Sequence, residues 1–351
     1  MLSRELQTGP EAPTKQRRTL AWTIGIVFSV FFFALAAKGV DWRELWRSLP
    51  DAGQAVAWLF IGLACLAGLL RVPARAVRWR LLVRPLADVS FLRLTWVTTL
   101  GAVLDNLLPA RAGDFGRAAV LRRDGLSASG AFATIVVERA VDVLATQLLV
   151  IAALLTAPMP TWLQRAGLAT CTVALIGLFG LVLAVRRRSL LERLLGLVTS
   201  RLGTLGHRLD EKATALLRAF LQGADGAIRA GHIPGLVGWS IVILLTTVVP
   251  NWCVLIACNL FDAAGAVGPA FVIAAFTQFA VMLPAAPGQV GTVHFAGVAA
   301  LALFGVEPAP ALACLLVLHA TQFFPVTILG APLLWREGLG VAAGSHRPPA
   351  G

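Results

Sequence analysis

Long apolar runs without a charged side chain recur along this 351-residue chain, and they fix the solvent it must fold in. Residues 20–37 carry no charge, and neither do residues 166–185. About eighteen such residues cross the hydrocarbon core of a bilayer. Only 14% of the chain is charged and 58% is hydrophobic, with a mean hydropathy of +0.79. A soluble domain carries roughly 25% charge, so a pair of soluble domains is excluded. The net charge of +12, from 30 Lys+Arg against 18 Asp+Glu, has no soluble basic domain to sit on. It therefore implies a membrane surface and not nucleic acid, because Arg near helix ends sets orientation and meets anionic headgroups.

The polar tail 1–19, with Arg4, Lys15, Arg17 and Arg18, predicts a cytoplasmic N-terminus. Ala34-Leu35-Ala36 resembles a signal cleavage site, but further spans follow, so 20–37 is read as an uncleaved first span. The second span, 55–70, ends in Arg71, Arg75, Arg78, Arg80 and Arg84. Arg71, Arg75 and Arg78 share a helix face. Two readings stand: charge that fixes orientation, or a seat for a lipid phosphate between helices. Segment 186–232 holds nine Lys/Arg and four Asp/Glu, and reads as amphipathic helices on the cytoplasmic surface. The five cysteines lie in apolar runs without a C-x-x-C pair, so neither metal, disulfide nor cofactor is expected. The fold expected is an all-α polytopic integral membrane protein, with seven or eight spans plus one or two re-entrant or broken helices. Its transmembrane domain covers 20–335, before a flexible tail 336–351, and it belongs in the cell (inner or plasma) membrane.

Two stretches break this apolar pattern. The third apolar run, 94–104, is too short to span and leads into Asn106-Leu-Leu-Pro-Ala-Arg111-Ala-Gly113-Asp114-Phe-Gly-Arg117. Irregular backbone at membrane depth is tolerated only where it lines a cavity or is buried in protein, so a re-entrant helix is predicted. Leu283-Pro-Ala-Ala-Pro-Gly288-Gln289-Val-Gly291 repeats the pattern L-P-A-x-x-G-[D/Q]-x-G at an offset of 175 residues. Three spans lie between, an odd number, so the second copy enters from the opposite side. Interrupted segments at matching places in an inverted repeat point to a transport site. Half-helix starts there present N–H groups to an anion, and Arg111 and Arg117 match phosphate geometry.

Glu138-Arg139-x-x-Asp142 lies inside an otherwise apolar helix. Glu138 and Asp142 share a face, with Arg139 about 100° round. Such charges must pair or line an aqueous cavity. They are either a staple between helices or partners of Arg111, Arg117 or a substrate cation. His294, three residues after Gly291, is a further candidate, whereas Gln278, Gln289, Asn251 and Gln322 read first as interhelical glue.

The Asn106-Leu-Leu-Pro-Ala-Arg-Ala-Gly-Asp run, Glu138-Arg139-x-x-Asp142, Leu283-Pro-x-x-Pro-Gly-x-x-Gly and Arg75-x-x-Arg78-Trp79, in this order, resemble the lysylphosphatidylglycerol synthase transmembrane-region family, also called the flippase-like domain. The resemblance covers roughly 20–335. In the family's full-length synthases a soluble aminoacyltransferase charges phosphatidylglycerol with lysine, and the membrane region is associated with moving the product between leaflets. The largest polar segment here is about 47 residues, too short for an enzyme domain, so a stand-alone membrane protein without synthase activity is expected. His294 stands where the family tends to carry an acid, which argues against a lysylated cargo. The resemblance implies a lipid translocase that holds an anionic phospholipid or polyprenyl-phosphate headgroup mid-membrane. Arg75, Arg78, Asn106, Arg111, Gly113, Asp114, Arg117, Glu138, Arg139, Asp142, Gly288, Gln289, Gly291 and His294 are its candidate site. The alternatives are a membrane enzyme on phospholipid or polyprenyl-linked substrates, or a scaffold for a lipid- or glycan-synthesis enzyme.

Overall fold

The computed structural model describes residues 15–344 apart from 52, 109–111, 158, 187–231, 282 and 284. Arg111, Pro109, Pro284, the tail before Lys15 and nearly all of segment 186–232 thus lie outside the described residues. In hydrocarbon every backbone N–H and C=O must be satisfied within the chain, which leaves helices as the economical solution. The described residues form α-helices and two short 3₁₀ turns, with no strand among them. In order they are α1 (Lys15–Ala36), α2 (Trp42–Arg47), α3 (Ala55–Val83), α4 (Phe91–Leu107), α5 (Ala112–Leu121), α6 (Ala128–Thr156), α7 (Thr161–Arg186), α8 (Ile233–Ala257), α9 (Val267–Ala280), α10 (Thr292–Ala302) and α11 (Pro308–Gly344). The 3₁₀ turns are Arg122–Asp124 and Pro287–Gln289.

Three of these are both long and apolar enough to cross a membrane: α3, α8 and the Pro308–Arg336 part of α11. Their outward faces carry exposed Leu59, Leu66, Ile241, Leu245, Ile328 and Leu329, a surface that only lipid makes favourable. α4 and α6 thread around them, packing on α3. Ser90 and Ser127 cap α4 and α6, accepting the Arg93 and Gly130 amides at 3.2 and 3.0 Å.

Two boundaries differ from the sequence reading. The second span does not stop at its first arginine: α3 continues through Pro73 to Val83, taking Arg71, Arg75 and Arg78 into the bundle. Arg75 and Arg78 are met there by carboxylates of α6, and Arg71 by the Gln322 side chain of α11. The helix built on the eleven-residue third run is seventeen residues long, because Asp105 and Asn106 find partners inside the protein.

The chain path sets the key geometry. α3 and α8 pack antiparallel: Gln54 meets Asn259 at one end (3.1 Å), and the Leu81 carbonyl meets His232 Nδ1 at the other (3.1 Å). The C-termini of α3 and α8 therefore lie at opposite ends of the bundle. α4–α5 follows α3 and returns as a hairpin, its base closed by the Arg93–Asp124 pair at 3.0 Å. α9–α10 follows α8 and also returns, its base closed by Phe261 edge-on to Phe304 at 6.2 Å. Two broken hairpins thus enter from opposite ends. The first is so tight that a Cβ on Gly113 would collide with the Gly101 carbonyl.

Candidate functional site

The hairpin tips meet. A Cβ on Gly288 would lie 3.6 Å from the Asn106 carbonyl. Gly288 holds φ 69° and Gln289 φ 58°, so the tip turns through the left-handed region. Between the tips and α3, α6, α8 and α11 is a cavity with two overlapping lobes of about 250 and about 350 Å³. Arg71, Arg75, Asp105, Asn106, Arg139 and Gln322 line both lobes.

One wall is an ion-pair lattice. Glu138, fully buried, accepts from Arg75 Nη2 (3.0 Å) and from Arg117 Nη1 (2.9 Å). Asp142, one turn on, is paired with Arg78 and with Arg139 Nη1 (3.1 Å). Asp114 accepts from Arg117 Nη2 (2.7 Å) and from Arg139 Nη2 (2.6 Å). The Arg117 guanidinium also lies 4.7 Å over the Trp79 ring, and Trp79 Nε1 donates to Thr134 Oγ1. Arg78 Nη1 donates to Ser240 Oγ at 3.2 Å. Asp105 Oδ1 accepts the Gly113 amide at 2.8 Å, and Asn106 donates to Thr327 Oγ1 at 2.9 Å. Glu138, Asp142 and Asp114 are thus each compensated by arginine, as charges taken out of water require, whereas Asp105 is held by a backbone amide.

The lattice is not neutral. At ordinary charges, Arg71, Arg75, Arg78, Arg117 and Arg139 face Asp105, Asp114, Glu138 and Asp142, which leaves one guanidinium in excess. Arg71 is the unmatched one. Its Nη1 donates to Gln322 Oε1 at 3.1 Å, and no carboxylate among the described residues lies within ion-pair distance of it.

The candidates named from sequence, apart from Arg111 outside the described residues, fall into three groups. Arg75, Asn106, Asp114, Arg117, Arg139, Asp142, Gly288 and Gln289 line the cavity. Arg78, Gly113 and Glu138 stand behind them, buried or held in the hairpin. Gly291 and His294 lie deeper in the second hairpin. Gly291 caps α10 against the Ser29 carbonyl, and its amide donates to His294 Nδ1 at 3.3 Å. His294 packs on His319 (ring centroids 5.0 Å) and on Phe33, and it is His319 that reaches the cavity. The cavity also takes in residues outside that candidate set: Arg71, which the sequence offers as part of a phosphate seat, His319, and Gln278, Gln322 and Asn251, which read first as interhelical glue. For Arg71 the signal was present: it lies four residues before Arg75, on the same face. Among the described residues, no group of three or more His, Cys, Asp or Glu is placed to hold a metal ion.

These features define a polytopic all-α membrane protein with two opposed broken hairpins around an arginine-rich cavity. Residues 22–330 match the model of the lysylphosphatidylglycerol synthase TM region, and the chain belongs to that family. No curated protein and no solved structure matched it.

Proposed function

We propose that this protein moves an anionic lipid across the membrane by admitting its headgroup to the cavity between the hairpin tips. The observation that carries this reading is Arg71, a cation without a carboxylate in a cavity whose other arginines are matched. A headgroup phosphate would complete the charge balance, and guanidinium offers it paired donors. Cavity-facing Arg75 and the amides of Gln278 and Gln322 would add polar contacts. The sequence carries no G-x-x-x-x-G-K-[S/T] loop, so directional movement would draw on an ion gradient, a downhill lipid gradient or a partner.

The test is reconstitution into vesicles of phosphatidylcholine with a fluorescent phosphatidylglycerol reporter, bleached from outside. The wild type is expected to expose the inner-leaflet reporter faster than protein-free vesicles do. Arg71→Gln is expected to slow this about tenfold or more, because a charge-assisted hydrogen bond contributes about 1.5–3 kcal/mol. Rates equal to those of empty vesicles, and indifferent to Arg71→Gln, would overturn the reading.

A further inference from the structure

A second cavity, of about 350 Å³, lies between α6, α7 and α9. Its walls are Val150, Ala153 and Leu154 of α6, a stripe of α7 from Trp162 to Thr170, and Phe276 and Phe279 of α9. It is an apolar groove. Its position relative to the polar cavity is what gives it meaning. Arg139, Asp142, Val143 and Thr146 line the polar cavity, while Val150, Ala153 and Leu154 line the groove. At 100° per residue these seven residues fall within one sector of about 120° on α6. The polar cavity and the groove are therefore consecutive stretches of one helix face. α9 stands beside the junction, with Gln278 turned to the polar side and Phe279 to the groove.

We infer that the groove holds one acyl chain of the lipid whose anionic headgroup sits at Arg71; this rests on the proposed function. The occupant is set by the joint. A charged end beside the unmatched guanidinium and an apolar tail along Val150–Leu154 is the layout of an amphiphile. A free anion would leave the groove unused, and a lipid held only by its chains would leave Arg71 uncompensated. The distance fits as well. Thr146 to Leu154 is eight residues, about 12 Å along the axis, a substantial part of one fatty chain. Trp162 is exposed at the groove's α7 side, as an aromatic at a membrane interface is.

The test uses the full chain in phosphatidylcholine vesicles with a trace of phosphatidylglycerol bearing a diazirine at one chain end. Phosphatidylcholine carrying the same diazirine is the comparison. Labelled peptides are read by mass spectrometry. Residues 150–170 are expected to be labelled at least about fivefold more by the phosphatidylglycerol probe. One buried methylene changes an affinity about fourfold, so filling the groove with Ala166→Phe plus Thr170→Phe should abolish that excess. Arg71→Gln should abolish it too, whereas Leu168→Phe, which does not line the groove, should not. Equal labelling by the two probes, or an excess that survives Arg71→Gln, overturns the assignment. Selective labelling in a protein that does not move lipid keeps the assignment and overturns the transport reading instead.

Discussion

Glu138 anchors the site at the scale of single residues. It is fully buried and joins Arg75 of α3 to Arg117 of α5 through its two oxygens. Removing one partner of a buried pair leaves the other charge uncompensated and costs about 3–5 kcal/mol. Glu138→Ala is therefore expected to lower unfolding stability in detergent by that amount. Arg93→Ala removes a partly exposed pair at the base of the first hairpin and is expected to cost at most about 1 kcal/mol. Equal losses in the two variants would contradict the burial argument. The presence of this lattice was legible in the sequence, because a carboxylate in an apolar helix stands out against its neighbours. Its wiring was not. Helical spacing puts Arg71, Arg75 and Arg78 on one face, but it does not say which of them has an acid opposite. The His294–His319 contact spans 25 positions and exists only through packing of α10 on α11.

Among elements, the hairpins carry the argument. The first depends on close approach of α4 and α5 at Gly101 and Gly113, the second on the left-handed turn at Gly288 and Gln289. Glycine does opposite things in different helices here. Gly62 of α3 has open space around it, so Gly62→Ala should stabilise by about 0.5–1 kcal/mol through helix propensity. Gly113→Ala puts a methyl group into a carbonyl and should destabilise by about 1–3 kcal/mol. Thermal unfolding of both variants checks the sign. Both breaks were visible in the sequence as matching Pro/Gly motifs. The extents of the flanking helices were not, because counting charges treats an arginine as the end of a span. Here α3 runs on past Arg71 for three turns, with Arg75 and Arg78 met by α6 carboxylates.

Over the whole molecule, the antiparallel pairing of α3 with α8 makes the two hairpins enter from opposite ends. A cysteine replacing exposed Arg122, beyond the first hairpin, and one replacing exposed Ala264, before the second, should then react with a membrane-impermeant maleimide from opposite sides. Labelling of both from one side would remove the inverted arrangement. Opposed hairpins of this kind are the arrangement that the proposed transport reading requires. The most direct measurement of the central claim is a structure of the protein in a phosphatidylglycerol bilayer. A lipid phosphate is expected within hydrogen-bond distance of Arg71, between Asn106 and Gly288. Hairpin tips held apart, or a cavity filled by side chains with phosphate only at the bilayer surface, would contradict it.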